Sequence, residues 1–482
     1  MKNRIPLLIG PAALVATLVL PPPPEMPVEA WRVAGVAAWM ATWWLTAVIP
    51  LEATALLPIA LLPAVAGASI DQATAPYADP IIFLFLGGFL LGATLERWDL
   101  HRRFALATVR VAGTSGPRVI LAFMGASAAL SMWISNTATA VMMLPIAKAV
   151  AGDADDGSGR TAQSGTARHG FQTALLLGVA YGCSIGGVST LIGTPPNAIF
   201  AGAARELLGE QIGFGRWLGI GLPISIPMFF IAWYLLVRIF RVRGEVEGLG
   251  EVVTEQSRHI GKLSGAERYI MAVFTVTALA WVARAPKTIG TLRIPGVTDL
   301  IPGLSDTGIA IAAALVLFVI PLKGSRFPTA LDWRTASRVP WGILLLFGGG
   351  LTLAASFADS GLTVWVGGRL QALSGAPLPL VLLVTVVLFV LLTELTSNSA
   401  TTALGMPLIV GAAQGLGVDA LPLMIGATLA ASMAFMLPVA TPPNAIVFGS
   451  GLLRGPDMAR AGAPLNVAAA VVITLIVWVL VL

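Results

Sequence analysis

Apolar residues dominate long stretches of the chain, and short polar segments separate these stretches from one another. A helix that crosses a membrane needs about 20 mainly apolar residues. Eleven stretches meet that requirement and predict full spans, at about 5–20, 33–49, 51–66, 80–96, 172–203, 217–240, 268–285, 307–321, 341–358, 420–447 and 464–482. The pattern therefore predicts an all-α polytopic membrane protein with about 11 transmembrane helices.

Two further apolar stretches have a different pattern, at about 118–147 and 378–410. Each is too long for one simple span, and each carries a polar cluster at its middle. The clusters read Ser135-Asn136-Thr137 and Ser397-Asn398-Ser399. We therefore expect two re-entrant helical hairpins, each of which enters the membrane and returns to its starting side.

The chain contains an internal repeat, which is the first feature to seek in a long helical sequence. Three segments of the first half recur in the same order in the second half, two of them at an identical offset: Phe85–Leu100 with Phe347–Leu362, Ser135–Pro145 with Ser397–Pro407, and Gly193–Ile199 with Ala440–Ile446. These matches predict a duplicated unit, with copies at 33–240 and 268–482.

The duplication predicts the domain organisation. Residues 1–32 would form an N-terminal transmembrane helix and loop, and 241–267 a cytoplasmic connector between the two copies. Each copy has five full spans and one hairpin, so the second copy enters the membrane from the opposite face. Inverted repeats with broken helices are typical of secondary transporters, whose site lies near the midplane where the repeats meet.

Composition excludes several classes of protein. Apolar residues make up 56% of the 482 residues and charged residues 11%, whereas soluble domains average roughly 25% charged residues. A cytosolic globular enzyme and a disordered chain are therefore excluded. The single cysteine, Cys183, and three histidines in polar stretches leave no pattern for a zinc, haem or iron–sulfur site.

Basic residues are distributed according to topology. If the N-terminus is cytoplasmic, 22 of the 29 Lys and Arg residues lie in inside loops and 7 outside. The positive-inside rule favours this arrangement. We expect a multi-pass protein of the cell (inner) membrane, in contact with the lipid bilayer, with a cytoplasmic N-terminus and an extracytoplasmic C-terminus. The basic balance then requires no nucleic-acid partner. Lys2 and Arg4 before the first stretch also fit a signal peptide, but the proline run Pro21–Pro24 and the poor cleavage site favour a retained helix.

The polar hairpin centres are candidate binding residues. Small polar groups inside apolar hairpins cost several kcal/mol each unless they are paired. A single serine or threonine would be explained by hydrogen bonding between packed helices, but two matching clusters at equivalent repeat positions favour a site. An asparagine side chain offers a carbonyl oxygen to a cation and an amide to an anion. Hydroxyl groups and helix N-termini suit carboxylate oxygens.

The repeated sequence TPPN predicts a break in each of two helices. Proline lacks an N–H and clashes with the carbonyl four residues earlier, so Pro195 and Pro196 in one copy and Pro442 and Pro443 in the other interrupt their helices. Freed carbonyls are tolerated in lipid only where they line a cavity or bind something. Together with asparagine and serine oxygens they form an all-oxygen set that suits a hard cation such as Na⁺.

Charged side chains are almost absent from these segments. No Lys, Arg or His lies within 119–147, 172–204, 370–410 or 420–453. An anionic substrate would therefore be balanced by helix dipoles and by co-bound cations, which predicts cation coupling. Glu394 is the one ionisable residue of the second hairpin, and its repeat equivalent is Met132. We interpret Glu394 as a structural hydrogen-bonding group rather than a proton or ion site, although intramembrane carboxylates are functional candidates.

The motifs SNTATAVMMLPI, IGGVSTLIGTPPNAI, TELTSNSATT and AFMLPVATPPNAIVFGSG carry a family resemblance. Over nearly the whole chain, the sequence resembles the divalent anion–sodium symporter family, which includes bacterial and animal dicarboxylate and citrate transporters. The resemblance implies a homodimer with a scaffold domain and a mobile transport domain that works as an elevator. It also implies C4-dicarboxylates such as succinate, malate and fumarate, or citrate, as substrates and Na⁺ as the coupling ion.

The resemblance also assigns roles to residues that match the paired motifs. One Na⁺ site would comprise Ser131, Ser135, Asn136 and the backbone at Gly193, and the second would comprise Thr393, Ser397, Asn398 and the backbone at Ala440. The substrate carboxylates would face eight residues: Asn136, Thr137, Thr194, Pro195, Asn398, Ser399, Thr441 and Pro442. One residue departs from the family pattern, since Ser399 stands where the family usually has threonine, and this leaves the substrate preference open.

Two alternatives remain at this stage, and two others are disfavoured. A dicarboxylate exchanger with the same fold needs no sodium, and the smaller Ser399 also allows a symporter for sulfate or another oxyanion. An intramembrane enzyme would need a nucleophile–base pair or a metal cluster, which the sequence lacks. A channel would need a continuous polar pore, whereas the polar residues are confined to the repeat centre.

Overall fold

Almost all of the predicted apolar stretches are helical in the computed structural model. The structure describes residues 5–151, 165–245, 261–289, 292–322 and 325–481. Within those ranges the only strands are Lys287–Ile289 and Leu292–Ile294, which pair antiparallel in a loop between two helices. The all-α polytopic prediction is confirmed, with this small ribbon as an addition. Most of the predicted 241–267 connector lies outside the described residues.

Twelve helices precede the connector in the described ranges 5–151 and 165–245. Several are separated by only a few residues, because proline or glycine interrupts a longer apolar stretch. Their bounds are α1 Ile5–Val19, α2 Val28–Thr46, α3 Leu51–Thr54, α4 Leu57–Val65, α5 Ile70–Thr74, α6 Pro80–Arg97, α7 Leu100–Ala112, α8 Gly116–Ser131, α9 Asn136–Ala151, α10 Gly165–Gly187, α11 Pro195–Leu208 and α12 Phe214–Ile239.

Ten helices follow the connector in the described part of the chain. They are α13 Gly265–Ala283, α14 Asp306–Val319, α15 Trp333–Ala336, α16 Trp341–Asp359, α17 Leu362–Leu370, α18 Leu378–Leu395, α19 Asn398–Leu416, α20 Ala420–Ala431, α21 Pro442–Phe448 and α22 Gly455–Val481. Three short 3₁₀ turns, Ala75–Ala78, Val297–Asp299 and Gln371–Leu373, complete the helical structure of these ranges.

The predicted spans differ from the observed helices in length. Six helical stretches of the described residues are long and apolar enough to cross a membrane: Ile70–Arg97, Phe214–Ile239, Gly265–Ala283, Trp341–Asp359, Leu378–Leu395 and Gly455–Val481. The predicted span at 51–66 is divided into α3 and α4, and those at 172–203 and 420–447 are each broken. The amphipathic helix α7 was not predicted, because its basic residues interrupt the apolar pattern.

The two predicted copies contain the same order of helices. The helix pair α6–α7 corresponds to α16–α17, the hairpin α8–α9 to α18–α19, and the broken helix α10–α11 to α20–α21. We call α8–α9 the first hairpin and α18–α19 the second hairpin. Residues 188–194, between α10 and α11, form the first linker, and 432–441, between α20 and α21, form the second linker.

The copies exchange contacts in a reciprocal way. Helix α11 of the first copy packs on α19 and α20 of the second, and α21 of the second copy packs on α9 and α10 of the first. Phe85 and Phe347, which are equivalent in the repeat, meet edge to face with their ring centroids 5.0 Å apart. Contacts between equivalent residues are what we expect where two related copies face each other, and the inverted orientation of the copies stays a prediction.

Glycines allow α17 and α19 to approach backbone to backbone. A Cβ atom on Gly411 would lie 2.6 Å from the carbonyl oxygen of Thr363, and one on Gly415 would overlap the carbonyl of Gly367. Small residues spaced four apart are typical of close helix pairs in membranes. This packing fixes the second hairpin against the helix that precedes it.

We predict that Gly415→Ala lowers the stability of the folded protein by about 1–3 kcal/mol, the usual cost of overpacking a tight contact. Gly368→Ala on the neighbouring helix is the matched control, because its Cβ would meet nothing within 4 Å. Alanine is also the better helix former, so the control should be neutral or slightly stabilising. Thermal unfolding in detergent measures both, and equal midpoints for the two variants would contradict the prediction.

Candidate functional site

Most of the predicted site residues lie at or just before the starts of four helices, whereas Ser131 and Thr393 lie near the ends of α8 and α18. Helix α9 begins at Asn136, α11 at Pro195, α19 at Asn398 and α21 at Pro442. The prolines at the first helical position have the fixed φ that a helix start requires and no N–H to satisfy. The predicted helix breaks are therefore confirmed, and the positive ends of helix dipoles coincide with the predicted binding residues.

The first cluster joins the first hairpin to the first linker. The Ser131 hydroxyl, at the end of α8, donates to Asn136 Oδ1, at the start of α9. The Ser135 hydroxyl accepts from the backbone N–H of Ala138 at 3.2 Å, so it caps α9. The Thr190 hydroxyl of the linker donates to the carbonyl oxygen of Met132 in the hairpin turn. Hydroxyl, amide and carbonyl oxygens thus converge at the hairpin tip.

The second cluster repeats this geometry. The Thr393 hydroxyl lies 2.7 Å from Asn398 Oδ1 and 2.7 Å from the carbonyl oxygen of Ala431, at the end of α20. Thr393 is fully buried. In both hairpins a hydroxyl residue therefore contacts the asparagine five positions later. A threonine hydroxyl also joins each hairpin to the neighbouring broken helix, from Thr190 in the first copy and from Thr393 in the second. Such oxygen-only clusters match the preference of a hard cation.

Glycine creates the space beside the first cluster. A Cβ atom on Gly187, the last residue of α10, would lie 2.5 Å from Asn136 Oδ1 and 3.0 Å from its Nδ2. A Cβ atom on Gly193 would overlap the carbonyl of Gly187. The backbone of the first linker can approach the asparagine amide only because these positions lack side chains, as expected where a backbone must come close to a bound group.

The asparagines of the two TPPN segments fold their linkers, a role that the sequence interpretation did not assign. Asn197 Nδ2 donates to the carbonyl oxygens of Gly187, at 3.3 Å, and Thr190, at 2.7 Å. Asn444 Nδ2 donates to the equivalent carbonyls of Ala434, at 3.3 Å, and Leu437, at 3.1 Å. The sequence signal was present, since both asparagines belong to the matched repeat segments.

These two side chains also present unpaired acceptors. Asn197 and Asn444 are fully buried, and the Oδ1 atom of each has no hydrogen-bond partner in the structure. Buried amide oxygens are normally paired with a protein group or with water. Acceptors left free on both linkers add to the oxygen-rich character of the two clusters, and they fit a site that binds a cation.

The remaining predicted residues differ in exposure between the copies. Thr137 is exposed whereas its equivalent Ser399 is buried, and Pro195 is half-buried whereas Pro442 is exposed. Thr441 caps α21, since its hydroxyl accepts from the N–H of Asn444 at 3.3 Å. Thr194 makes no such cap, and neither does Ser397 on α19. The backbone positions Gly193 and Ala440 are buried within the linkers.

A cavity of about 640 Å³ reaches the tip of the first hairpin, where Ser135 and Thr137 line it. Arg97 and Arg338 lie on its other side. Arg97 is engaged by Asp332 at 2.8 Å, and Arg338 has no carboxylate partner among the residues that the structure describes. This opening therefore reaches the tip of one of the two hairpins.

Asp332, at the edge of this opening, lies in the loop between α14 and α16. Partial burial by itself would raise the pKa of this carboxyl group, but the hydrogen bonds from Thr335 and the charge of Arg97 outweigh it and lower the pKa below its usual value. The carboxylate therefore stays ionised at neutral pH and neutralises Arg97. Arg338 remains as the cationic side chain that faces the opening.

Comparison with known proteins shows the family of this chain. The family model described as the sodium:sulfate symporter transmembrane region matches residues 1–482. The sodium-dependent dicarboxylate transporter SdcS of Staphylococcus saprophyticus is 38% identical over 481 residues, which cover 98% of this chain and 91% of the relative. SdcS of Staphylococcus aureus is 38% identical over 479 residues, covering 98% of this chain and 90% of the relative.

Two solved structures share the fold at low sequence identity. MtrF of Neisseria gonorrhoeae superposes with a TM-score of 0.56 and 12% identity, over 87% of this chain and 85% of that one. The YdaH transporter of Alcanivorax borkumensis has a TM-score of 0.53 and 15% identity, over 92% and 97%. Since the family model spans the whole chain and the relatives exceed 30% identity over nearly their full length, the chain belongs to the divalent anion:sodium symporter family, a family of membrane transporters and not of enzymes.

Proposed function

We propose that this protein is a secondary active transporter that imports C4-dicarboxylates such as succinate, malate and fumarate together with Na⁺. The observation that carries the proposal is the pair of matching oxygen clusters, Ser131–Asn136 and Thr393–Asn398, each at a helix start and each beside a broken helix. The sodium-dependent dicarboxylate transporters SdcS, 38% identical to this chain, support both the ion and the substrate class.

Each cluster would hold one Na⁺. The first site would comprise Ser131, Ser135, Asn136 and the carbonyl oxygen of Gly193. The second would comprise the equivalent residues Thr393, Ser397, Asn398 and the carbonyl oxygen of Ala440. The donor set supports this assignment, because amide, hydroxyl and carbonyl oxygens are the ligands that hard cations prefer and because sequence-equivalent hydrogen bonds already bring them together.

The dicarboxylate would bind between the hairpin tips, one carboxylate toward each. The asparagine amides, the hydroxyls of Thr137 and Ser399, and the helix starts at Thr194-Pro195 and Thr441-Pro442 would face the anion. Helix N-termini favour negative charge, and no cationic side chain lies in these segments. Bound Na⁺ would therefore supply the positive charge, which makes anion binding depend on prior cation binding.

The conformational change would be an elevator movement, in which the hairpins and broken helices carry the neutralised cargo past a scaffold within a homodimer. The reciprocal packing of α11 and α21 between the copies supports one moving body that contains both clusters. Positive-inside counting supports a cytoplasmic N-terminus and an extracytoplasmic C-terminus. In that topology the opening lined by Arg97 and Arg338 faces the cytoplasm, where the cargo would be released.

The test is radiolabelled succinate uptake into proteoliposomes, with an inward Na⁺ gradient against K⁺ or choline, with and without internal dicarboxylate. Uptake that requires Na⁺ but no internal substrate is expected. If more positive charge enters than the anion carries, each excess charge gains roughly 2.3 kcal/mol per 100 mV, so an inside-negative potential should accelerate uptake.

The same assay separates the alternatives. Uptake that ignores Na⁺ and requires internal dicarboxylate would identify a sodium-independent exchanger and would remove the cation role of the asparagines. Unlabelled sulfate tests the oxyanion alternative, to which the buried and smaller Ser399 and the family description lend support. If unlabelled sulfate inhibits the uptake at lower concentrations than unlabelled succinate does, sulfate rather than a dicarboxylate is the preferred substrate.

A further inference from the structure

The second linker is clamped at three consecutive peptide groups by Glu394. Its Oε1 atom accepts from the backbone N–H of Phe435, at 2.8 Å, and of Met436, at 2.9 Å. Its Oε2 atom accepts from the N–H of Leu437 at 2.9 Å. Glu394 is only 4% exposed. The second hairpin and the linker that carries Ala440 are thus joined through one carboxylate.

Two further side chains complete this clamp. Asn466 of α22 donates from Nδ2 to Glu394 Oε1 at 2.7 Å, and its Oδ1 accepts from the N–H of Phe435 at 3.3 Å. Tyr181 of α10, in the other copy of the repeat, donates its hydroxyl to the carbonyl oxygen of Phe435 at 2.8 Å. We call Glu394, Asn466 and Tyr181 the linker clamp. Glu394 and Asn466 accept from the backbone N–H of Phe435, and Tyr181 donates to its carbonyl oxygen.

Within the described residues, the contacts of the Glu394 carboxylate are all with hydrogen-bond donors. Four N–H groups point at its two oxygens, so both oxygens act as acceptors. Its oxygens are therefore engaged by the backbone rather than available to a cation, so Glu394 is a positioning residue and not a ligand. Glu394 directly follows Thr393, the residue whose hydroxyl contacts Asn398 in the second cluster, so the clamp acts on the backbone of that cluster.

Among the residues that the structure describes, no charged side chain holds the first linker. Met132 stands at the repeat position of Glu394, and the connection runs instead from the Thr190 hydroxyl to the Met132 carbonyl. Both linkers share the asparagine contacts of Asn197 and Asn444. The two clusters therefore have equivalent oxygens, but the linkers beside them are held differently. Only the second linker is bound by a carboxylate among the described residues.

We propose that the linker clamp preforms the second cation site, so that the two Na⁺ sites differ in affinity and the second site fills first. The inference rests on the proposed function. Oxygens that are already held in place cost less free energy to arrange when the ion arrives. The first site, which lacks the clamp, binds Na⁺ more weakly and completes the anion site.

The experiment measures thermal unfolding of the purified protein in nanodiscs against Na⁺ concentration, at constant ionic strength with choline and without dicarboxylate. Wild type should show two phases of stabilisation. Glu394→Gln keeps the shape but replaces one acceptor oxygen with an NH₂ group, so at least one of the four N–H groups loses its partner. It should shift the tighter phase to about tenfold higher Na⁺, the effect expected when a buried donor is left unpaired. Tyr181→Phe removes one neutral hydrogen bond, and should shift the same phase by about threefold to fivefold.

Two control variants test whether the effect is local. Thr190→Val removes the contact of the first linker and should shift only the weaker phase. Glu210→Gln makes the same chemical change at an exposed residue paired with Arg216, and should leave both phases unchanged. At saturating Na⁺ the KM of Glu394→Gln for succinate should stay near the wild-type value, whereas general damage to the fold would raise it.

The outcomes separate the inference from the proposed function. A single phase in wild type, a shift of the tighter phase by Thr190→Val, or unchanged phases in both clamp variants would overturn the inference. If Glu394→Gln does not fold, Tyr181→Phe decides the same question alone. If neither the stability nor the succinate uptake of wild type responds to Na⁺, the proposed cation coupling itself is wrong.

Discussion

Alanine in place of Asn136 or Asn398 should lower Na⁺-driven succinate uptake by at least about a hundredfold while the protein still folds. Each side-chain oxygen accepts a hydrogen bond from Ser131 or Thr393 within a cluster proposed to hold a cation, and each amide would face the substrate. Losing two charge-assisted contacts at about 1.5 kcal/mol each or more corresponds to that factor. Uptake by proteoliposomes, normalised to inserted protein, measures the effect.

Gln371→Ala is the matched control for the asparagine variants. It also removes a side-chain amide, but from an exposed turn that follows α17, so uptake should equal that of wild type. Succinate uptake above about a tenth of wild type by either asparagine variant would require another assignment of the site. The two variants should have equal effects if both clusters are needed for each transport cycle.

Gly187→Ala should reduce uptake by about tenfold or more without preventing folding. The added methyl group would lie 2.5 Å from Asn136 Oδ1, the end of a side chain that can move away. Displacing the amide removes an oxygen from the proposed cation site at the cost of at least one charge-assisted hydrogen bond. Because the obstruction is a side-chain tip, the variant tests the geometry of the site rather than the packing of the helices.

Gly219→Ala on α12 is the control for this change, since its Cβ would meet nothing within 4 Å. The control should transport normally, and both proteins should elute as one homogeneous species in gel filtration. Normal uptake by Gly187→Ala would mean that Asn136 binds its ligand from another position than the one observed. Raising the Na⁺ concentration should partly restore uptake by Gly187→Ala if the lost contact is to the cation.

Local chemistry explains why the helix breaks and hairpins could be predicted. Proline pairs end a helix wherever they occur, and polar triplets inside apolar stretches mark turns. Helices α9, α11, α19 and α21 accordingly begin at the predicted asparagines and prolines. The membrane class follows from composition in the same way, because too few charged residues are present to cover a soluble surface.

Helix lengths were predicted less well, because apolar periodicity does not show where neighbouring helices force a turn. The predicted 51–66 span is two short helices, and the amphipathic α7 has an apolar face too narrow for a span pattern. Asn197 and Asn444 belong to a repeated motif in the sequence. Their role in holding the linkers could not be predicted, because each binds a carbonyl ten residues earlier in a linker that folds back on itself.

The sequence by itself determined that this chain is a helical membrane transporter, and it predicted two related copies and two oxygen-rich clusters, since span length, repeat offsets and proline positions act locally. Only the tertiary structure decided how unequal the clusters are. Glu394 meets peptide groups 41 to 43 residues further along the chain and an amide 72 residues away. Those N–H groups converge only because helix packing holds the linker open, and no local pattern encodes that convergence.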